Sequence, residues 1–250
     1  MKNVRSRFER TYWWMRRRLI PAFQGSQAIY ERALRDLLSA DRSWLDIGCG
    51  HQILPEWRAE VEPQLISPGA LIVGLDYDLP SLQRHKSIPL RVRGDIGRLP
   101  FGDSSFDLVT ANMVIEHLDN PAIQFAEISR VLKPGGHFLF ITPNARGYFS
   151  QMRRLVPDAF ANKLATLLEG RASADVFPVH YRANTTSSIG ALAHAAGLEV
   201  TSVKMVVTDA VFQMVPPLAL VELLWMRILL TEPLKEFRTN IIGLLGKSRQ

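Results

Sequence analysis

The stretch Trp44-Leu-Asp-Ile-Gly-Cys-Gly-His51 decides the fold of this chain. A short apolar run leads into a carboxylate, Asp46, and then into two glycines separated by one residue, Gly48 and Gly50. Apolar residues followed by glycines are typical of a buried strand that enters a tight turn. Because glycine has no Cβ, the backbone of such a turn can bend sharply and approach a ligand closely. The stretch therefore predicts a strand that ends in a ligand-binding loop.

The charge of Asp46 distinguishes two classes of cofactor that bind at turns of this kind. A dinucleotide would bring its pyrophosphate to the turn, where a carboxylate repels it. S-adenosylmethionine carries an ammonium and a sulfonium group, which a carboxylate attracts. Ile53 also occupies the position at which the dinucleotide fingerprint Gly-x-Gly-x-x-Gly requires its third glycine. The loop therefore favours S-adenosylmethionine over NAD.

Two further acids follow predicted strands. The apolar run Leu71–Asp76 ends in a carboxylate about 26 residues after Gly50, which suits the acid that hydrogen-bonds ribose hydroxyls in doubly wound folds. Asp95 follows in Arg93-Gly-Asp-Ile96, where a carboxylate can accept a hydrogen bond from an adenine amino group. The acids therefore predict a nucleoside-binding edge.

Six ordered motifs lie between Trp44 and Asn144. They are Asp46-x-Gly48-x-Gly50, Gly74-x-Asp76, Gly94-Asp95, Leu99-Pro-Phe101 with Phe106-Asp107, Glu116-His117, and Leu132-Lys-Pro-Gly-Gly136. Together they resemble the class I S-adenosylmethionine-dependent methyltransferases, in the broad type 11 family that includes the ubiquinone-biosynthesis enzymes. The resemblance covers about two fifths of the chain. It implies an α/β fold with a Rossmann-like, doubly wound, seven-stranded sheet, and S-adenosylmethionine as the cofactor.

The resemblance also implies a role for each cofactor-binding position. Asp46 would orient the methionine end, and Gly48 and Gly50 would admit the cofactor. Asp76 would hold the ribose, with Tyr77 beside it. The remaining positions implied by the resemblance are Asp95 and Ile96 at the adenine. The fourth predicted strand ends at the carboxyl edge of the sheet, so Asn112 or its backbone carbonyl could face the cofactor's amino group.

A hydroxyl acceptor needs a base, and His117 is the first candidate. Imidazole titrates near neutral pH, and the residue follows the strand that ends at the ligand edge. A packing or capping role at a helix entry is the alternative. Glu116 and His180 are weaker candidates for the base. Glu116 and His117 could also help to hold a divalent metal, but the sequence shows no complete ligand set, and we expect no metal.

Positive charge is concentrated at the start of the chain. The net charge is +6, and residues 1–20 carry seven Lys or Arg against one acid, Glu9. Basic blocks suit anionic partners such as lipid headgroups, nucleic acid or a phosphorylated substrate, and a solvated terminal helix is an equal alternative. The basic start is not followed by a continuous apolar core, so we expect no signal peptide. With Cys49 as the only cysteine, we expect a cytoplasmic protein, with membrane association as an alternative.

We expect four segments along the chain. Residues 1–43 form a basic, helical N-terminal lid, and residues 44–144 form the cofactor-binding core. Residues 145–184 form an insertion that serves as a lid or acceptor pocket. Residues 185–250 complete the core and contain an apolar helical insertion over 211–237. The sheet therefore has insertions before and after its sixth strand.

The acceptor candidates lie in these flanking segments. Tyr12 and Trp13 lie among basic residues, which suits either a lid over the acceptor or a membrane interface. Nucleic acid is the least favoured partner, because the sequence contains no recognisable nucleic-acid-binding module. By resemblance, the segment that contains His180, Tyr181 and Arg182 faces the acceptor, although a structural role is an equal alternative.

The apolar stretch Leu218–Leu230 leaves three alternatives. It is interrupted by Glu222 and Arg227, and it is shorter than the roughly 20 apolar residues that a bilayer span needs, so we do not expect it to cross a membrane. The stretch could pack on the core, form a homodimer contact, or dip into one membrane leaflet.

A further helix is expected after Asn120, with Asn120 as N-cap and Pro121 at the first helical position. Its expected inward residues are Ile123, Ala126, Ile128 and Val131.

The sequence therefore predicts a methyltransferase acting on a small-molecule, sugar or lipid-linked acceptor, at oxygen first. Carbon or nitrogen methylation of a quinone or lipid is the alternative within this class. A non-catalytic S-adenosylmethionine-binding module is a second hypothesis, and an NAD-dependent oxidoreductase is disfavoured by Asp46 and Ile53.

Overall fold

The apolar runs of the sequence form a seven-stranded sheet with the strand order β3-β2-β1-β4-β5-β7-β6. This computed structural model describes residues 2–39, 41–66, 70–155 and 178–249, with backbone alone for 2–7 and 153–155. The strands are β1 (Ser43–Ile47), β2 (Leu71–Asp76), β3 (Leu90–Arg93), β4 (Phe106–Asn112), β5 (Leu132–Pro143), β6 (Leu198–Val206) and β7 (Asn240–Lys247).

The first five strands pair in parallel around β1. β1 lies between β2 and β4, so that Asp46 is opposite Gly74 on one side and Thr110 on the other. From β1 the chain passes outward to β2 and β3, and then returns to β4 on the other side. Open α/β sheets bind ligands where the strand order reverses in this way, at the carboxyl ends of the strands. The expected α/β, Rossmann-like, doubly wound sheet is confirmed.

Local chemistry accounts for the ends of several helices. The helices are α1 (Lys2–Leu19), α2 (Ser26–Leu37), α3 (Leu79–Arg84), α4 (Pro121–Val131), α5 (Tyr148–Leu155), α6 (Thr186–Ala195) and α7 (Pro216–Leu229), with 3-10 turns at Glu56–Gln64, Ile115–His117 and Glu232–Phe237. The Asp78 carboxylate accepts from the Ser81 N–H and caps α3. Thr185 and Ser188 form a capping box at α6. Gly197, which follows α6, has a φ of 70°.

The chain divides into two units. The sheet unit comprises residues 30–143, 178–204 and 241–250, and the helical unit comprises residues 1–29, 144–177 and 205–240. The predicted lid and acceptor insertion over 145–184 lies outside the described residues between 156 and 177. The four-segment division and its lid roles remain predictions.

The core of the sheet unit lies on the apolar strands. Leu45, Ile47, Val109, Phe138 and Phe140 are all fully buried in one cluster. Burial of large apolar side chains is the main favourable term in folding, at roughly 25 cal/mol per Å². This core holds the carboxyl ends of β1, β2 and β4 in fixed positions.

Helix α4 begins at Pro121 as expected, but its inward face differs from the prediction. Ile123 is 51% exposed and Ala126 is also exposed, while Phe125 is fully buried. The buried stripe runs through Phe125, Ile128 and Val131, because Phe125 packs edge-on against Phe138 and Phe140. Ile123 lies two residues earlier, about 200° around the helix, and therefore faces solvent.

The helical unit has a core of its own, in which α1 packs against α7. From α1 it contains Tyr12 and Met15, and from α7 it contains Leu223 and Met226. The buried Glu222 carboxylate accepts from the backbone N–H groups of Val211 and Phe212 and from the Tyr148 hydroxyl. One face of the apolar stretch Leu218–Leu230 is therefore used in packing within this unit. Among the helices that the structure describes, none is both long enough and apolar enough to cross a membrane.

Candidate functional site

The loop after β1 requires glycine at two positions. Gly48 and Gly50 have φ values of 63° and 55°, in the left-handed region that residues with a Cβ rarely adopt. A Cβ on Gly48 would lie 2.4 Å from Cγ2 of Val114, whereas a Cβ on Gly50 would meet no atom of the described residues within 4 Å. The loop therefore packs closely against Val114 at Gly48 and faces open space at Gly50, where a ligand could approach the backbone.

Asp76 ties this loop to the end of β2. Its Oδ2 accepts from the Gly50 N–H at 2.7 Å, and its Oδ1 accepts from the Asp78 N–H at 2.8 Å. The Cys49 N–H also donates to the Leu75 carbonyl at 3.1 Å. A carboxylate oxygen has two lone pairs, so each oxygen of Asp76 can accept one more bond, such as that from a ribose hydroxyl.

Asp46 is buried beneath the loop, with 3% of its surface exposed. Its Oδ1 accepts from the Thr110 hydroxyl, which in turn accepts from the Trp44 indole N–H at 2.7 Å. Burial raises the pKa of Asp46 to about 7, and the nearby carboxylates of Glu62 and Asp76 act in the same direction. Ionised Asp46 is therefore costly in this environment, and a ligand cation would relieve the cost.

Glu62 is a buried acid that the sequence analysis missed. It is 1% exposed, and its Oε1 accepts from the Leu54 N–H at 2.8 Å. The Ser87 hydroxyl donates to its other oxygen. A glutamate in a proline-rich stretch resembles a solvated surface residue, so no local pattern could have identified it. The structure places the Glu62 carboxyl close enough to Asp46 to contribute to the raised pKa of Asp46.

The other predicted cofactor positions lie at the same edge of the sheet. Tyr77 follows β2 and is 68% exposed, with its carbonyl accepting from the Arg93 guanidinium at 3.1 Å. Asp95 is exposed after β3, and its Oδ1 accepts from the Gly97 N–H at 2.8 Å. Ile96 packs partly on the sheet core, and Asn112 ends β4. The loop, Asp76, Tyr77 and Asn112 thus lie at the carboxyl ends of three adjacent strands.

Met113 is another residue that the sequence did not identify. It follows β4 with a φ of 56° and is 38% exposed. A left-handed conformation is unusual for a residue with a side chain, and such residues occur often at ligand sites. The Met113 N–H donates to the Ile141 carbonyl at 2.9 Å, which anchors this conformation to β5.

A buried polar network lies next to the β4 end. Glu116 is 5% exposed, and its Oε2 accepts from the Thr142 hydroxyl at 2.9 Å. The Asn184 amide donates to the same hydroxyl oxygen at 2.7 Å and to the Pro143 carbonyl at 2.9 Å. Burial raises the pKa of Glu116. The network connects the ends of β4 and β5 to the residue that precedes α6.

His117 and the predicted acceptor segment meet at this network. The His117 Nδ1 lies 2.8 Å from the Pro178 carbonyl, and the Glu116 carbonyl accepts from the N–H groups of His180 and Tyr181. Because a carbonyl only accepts, Nδ1 carries the proton and Nε2 has the lone pair when the ring is neutral. The nearer Glu116 oxygen lies 4.0 Å from Nε2.

Arg182 is exposed and donates to the Asp119 carbonyl. No group of three or more His, Cys, Asp or Glu side chains within the described ranges is arranged to hold a metal ion.

Tyr12 and Trp13 belong to the helical unit, whereas the other predicted site residues belong to the sheet unit. The Tyr12 side chain is 1% exposed in the core of the helical unit, and Trp13 is 45% exposed. The helical unit also contains an open pocket of about 540 Å³ with a mostly apolar lining that includes Ile20, Phe23 and Leu230. None of the predicted cofactor residues lines this pocket.

Residues 45–140 match the model of a protein family described as a methyltransferase domain. The matched segment runs from β1 into β5 and contains the glycine loop, Asp76, Asp95 and His117. The match therefore covers the strand ends described above.

Two curated relatives are named as methyltransferases. A protein of Mycolicibacterium smegmatis named as a probable S-adenosylmethionine-dependent methyltransferase is 33% identical over 140 residues, which are 54% of this chain and 47% of that protein. The demethylmenaquinone methyltransferase of Lactiplantibacillus plantarum is 30% identical over 145 residues, which are 50% of this chain and 60% of that enzyme. The chain thus spans about half the length of the curated relatives it matches.

A solved structure extends the similarity of fold beyond the matched segment. The crystal structure of a protein from Methanosarcina mazei, titled as an S-adenosylmethionine-dependent methyltransferase, aligns with a TM-score of 0.56 at 16% identity. The alignment covers 87% of this chain and 98% of that one.

Proposed function

Because residues 45–140 belong to the methyltransferase domain family, we propose that this protein transfers a methyl group from S-adenosylmethionine to a small-molecule or lipid-linked acceptor. The observation that carries the proposal is the geometry of the glycine loop. Gly50 faces open space in the loop that follows β1, β1 carries the buried acid Asp46, and Asp76 holds the loop at the end of β2.

The acids and the loop at this site fit the proposed cofactor. S-adenosylmethionine supplies a methyl group on a positively charged sulfur when it is bound. A cation near Asp46 would favour the ionised carboxylate and lower the pKa that burial has raised. Asp76 has remaining acceptor capacity for ribose hydroxyls, and Tyr77, Asp95, Ile96 and Asn112 are the proposed contacts around the nucleoside. A pyrophosphate would meet these acids unfavourably, which disfavours NAD.

We assign His117 as the base for a hydroxyl acceptor. Its Nδ1 proton donates to the Pro178 carbonyl, so the neutral ring has its lone pair on Nε2. Nε2 would take the acceptor's proton as the acceptor oxygen bonds to the methyl carbon and the carbon–sulfur bond breaks. The nearby Glu116 carboxyl, when ionised, would stabilise the resulting imidazolium.

The identity of the methyl acceptor, and the atom that is methylated, form a separate part of the proposal. His117 suits transfer to oxygen, since a hydroxyl must lose a proton, and it would equally accept the proton that a ring carbon loses on methylation. Similarity to a demethylmenaquinone methyltransferase favours a second candidate, carbon methylation of a quinone-like lipid. Either candidate would contact His180, Tyr181 and Arg182, which follow Pro178 next to His117.

The first test is calorimetric titration of the purified protein with S-adenosylmethionine and, separately, with NADH. We expect micromolar binding of S-adenosylmethionine and no response to NADH. Asp76→Ala should lose binding, because the variant removes both the proposed ribose ligand and the acceptor that holds Gly50. Asp36→Ala, at an exposed position on α2, is the matched control and should bind as the parent does.

Circular dichroism would establish that each variant is folded. A folded parent protein that does not bind S-adenosylmethionine would overturn the proposed function.

The second test measures transfer of labelled methyl from S-adenosylmethionine to lipid extracts and to a demethylated menaquinone. His117→Gln should bind the cofactor within about twofold of the parent and lose about 10²- to 10⁴-fold in the rate of transfer to a hydroxyl acceptor. Equal transfer rates in parent and variant would remove His117 from the mechanism. Cofactor binding with no transfer to any tested acceptor would favour the non-catalytic binding module.

A further inference from the structure

Helix α7 has two apolar faces, and within the part of the chain that the structure describes only one of them is used in packing. Ala219, Leu223, Met226 and Leu229 are buried in the helical unit. On the other side, Leu218, Val221, Leu224, Trp225 and Ile228 are between 38% and 65% exposed. The charged residues of α7 are Glu222, which is buried, and Arg227. A surface helix normally carries charged side chains on its solvent face, so this exposed apolar face, from Leu218 to Ile228, needs a partner.

The neighbouring helix α5 extends the apolar character of this region. Tyr148 of α5 contacts Trp225 edge-on, with ring centroids 6.4 Å apart, and its hydroxyl donates to Glu222. Phe149 and Met152 on α5 are 40% and 46% exposed. Two adjacent helices of the helical unit therefore present large apolar side chains to solvent.

Helix α1, which packs against α7, supplies the charge. Its exposed side chains include Arg10, Arg17 and Arg18 together with Trp13 and Trp14, and the Arg18 guanidinium lies 5.5 Å from the Trp14 ring centroid. Over residues 1–20 the sequence has seven basic residues and one acid. The exposed arginines are distinct from Arg16, which lies 3.6 Å from Asp209 and over the Phe23 ring.

Charge complementarity identifies the occupant of this surface. Tryptophan and arginine side chains together suit the boundary between lipid headgroups and acyl chains. Anionic lipids attract clustered arginines, whereas two copies of α1 brought together would repel each other. We propose that the helical unit docks on an anionic bilayer surface, with the exposed apolar face of α7 inserted at the headgroup boundary and Arg17 and Arg18 on the headgroups. Docking does not depend on methyl transfer.

The test is flotation of the purified protein with vesicles of phosphatidylcholine alone, or with 30 mol% phosphatidylglycerol, without cofactor. We expect binding to the anionic vesicles that weakens as the NaCl concentration rises, and little binding to the neutral ones. Arg17→Gln/Arg18→Gln should weaken binding about tenfold or more, since each basic residue near the surface adds to the attraction. Val221→Ser/Leu224→Ser should weaken it by a similar factor.

Matched controls separate docking from folding. Lys86→Gln/Arg84→Gln removes two exposed charges from the sheet unit, and Ile123→Ser removes an exposed apolar side chain from α4. Both controls should bind vesicles as the parent does. Retained S-adenosylmethionine binding by the test variants would show that the sheet unit is intact.

Three results would overturn the proposal. The first is a folded parent protein that does not float with anionic vesicles. The second is equal binding by the parent and the test variants. The third is a parent protein that is dimeric in solution, a Val221→Ser/Leu224→Ser variant that is monomeric, and no vesicle binding by either protein. This result would assign the exposed apolar face of α7 to a second copy of the chain.

Discussion

Asp46 is an acid in a place where its charge is unfavourable. It lies on β1 opposite Thr110 of β4, whose hydroxyl donates a hydrogen bond to it, and burial raises its pKa to about 7. A solvated aspartate would fulfil a purely structural role at lower cost. The arrangement suits a site in which a ligand cation restores the ionised form.

Asp46→Asn should therefore stabilise the protein at pH 8. With a pKa of about 7 in the native state and 3.8 as the ordinary value, the native protein retains a proton that the unfolded chain has lost. The unfolding free energy of the parent therefore decreases as the pH rises from about 4 to about 7. This decrease should be absent in the variant. At 1.36 kcal/mol per pKa unit, the gain in unfolding free energy at pH 8 is at most about 4 kcal/mol.

Urea unfolding of both proteins from pH 4 to pH 8 measures this difference. The two unfolding free energies should converge near pH 4, and Asp36→Asn should follow the parent throughout. If the unfolding free energy of Asp46→Asn varied with pH as that of the parent does, ionisation of Asp46 would not cost the free energy assigned to it. The same variant should bind S-adenosylmethionine more weakly than the parent.

The two loop glycines should respond differently to alanine. Gly48→Ala places a methyl group 2.4 Å from Val114 at a positive φ, so we expect a loss of about 2–4 kcal/mol in unfolding free energy from strain and overpacking together. Gly50→Ala meets no atom within 4 Å and should lose only about 1–2 kcal/mol, from its φ. Its methyl group would nevertheless stand in the space proposed for the cofactor.

Chemical unfolding and cofactor titration together test this pair. Gly50→Ala should lose more S-adenosylmethionine affinity than its stability loss accounts for. Gly190→Ala, inside α6 with no atom within 4 Å of the added Cβ, is the control and should be neutral or slightly stabilising. Unchanged cofactor affinity in Gly50→Ala would show that the ligand does not approach the loop there.

At the scale of secondary-structure elements, α7 combines a face packed in the helical core with a face that is exposed among the described residues. Leu223 is fully buried against α1 residues, and Leu224, the next residue, is 45% exposed. The two leucines are the same residue type on the same helix, so they differ only in their surroundings. They form a matched pair for measuring the contribution of the packed face.

Leu223→Ala should lower the unfolding free energy by about 2–5 kcal/mol, because it removes buried methyl groups and leaves a cavity. Leu224→Ala should change it by less than about 0.5 kcal/mol. Thermal and urea unfolding of the two variants measure the difference. Similar losses in both would mean that α7 is buried on both sides, which would also argue against membrane docking.

At the scale of the whole molecule, the sheet unit contains the proposed cofactor site and the helical unit contains the proposed lipid-facing surface. A ligand that binds only the native state adds to the unfolding free energy in proportion to the logarithm of its concentration. Ligand binding and membrane docking can therefore be measured separately on the intact chain.

S-adenosylmethionine at 100 times its Kd should stabilise the protein by about 2.7 kcal/mol. For a chain of this size that corresponds to a rise in Tm of about 5–10 °C. Differential scanning fluorimetry with a concentration series measures it, and NADH at equal concentration is the control ligand. No shift with S-adenosylmethionine, or an equal shift with NADH, would contradict the proposed cofactor.

Local patterns in the sequence determined the strands and the glycine loop that follows β1. Apolar runs followed by glycine, proline or acid mark β1, β2 and β4 because burial and turn geometry act on neighbouring residues. For the same reason the acids at positions 46, 76 and 95 could be placed at strand ends from local sequence alone. The prediction for α4 was less accurate, since helical periodicity shows an apolar face only approximately and the contact with Phe138 and Phe140 sets its rotation.

Contacts between residues distant in sequence were decided only by the tertiary structure. Thr110 reaches Asp46 across 64 positions, and Asn184 reaches Thr142 across 42. The burial of Glu62 and Glu116, the left-handed backbone of Met113 and the packing of α1 on α7 depend on such contacts. A carboxylate has the same local sequence whether it is solvated or buried. Its pKa and its role follow from the neighbours that folding brings to it.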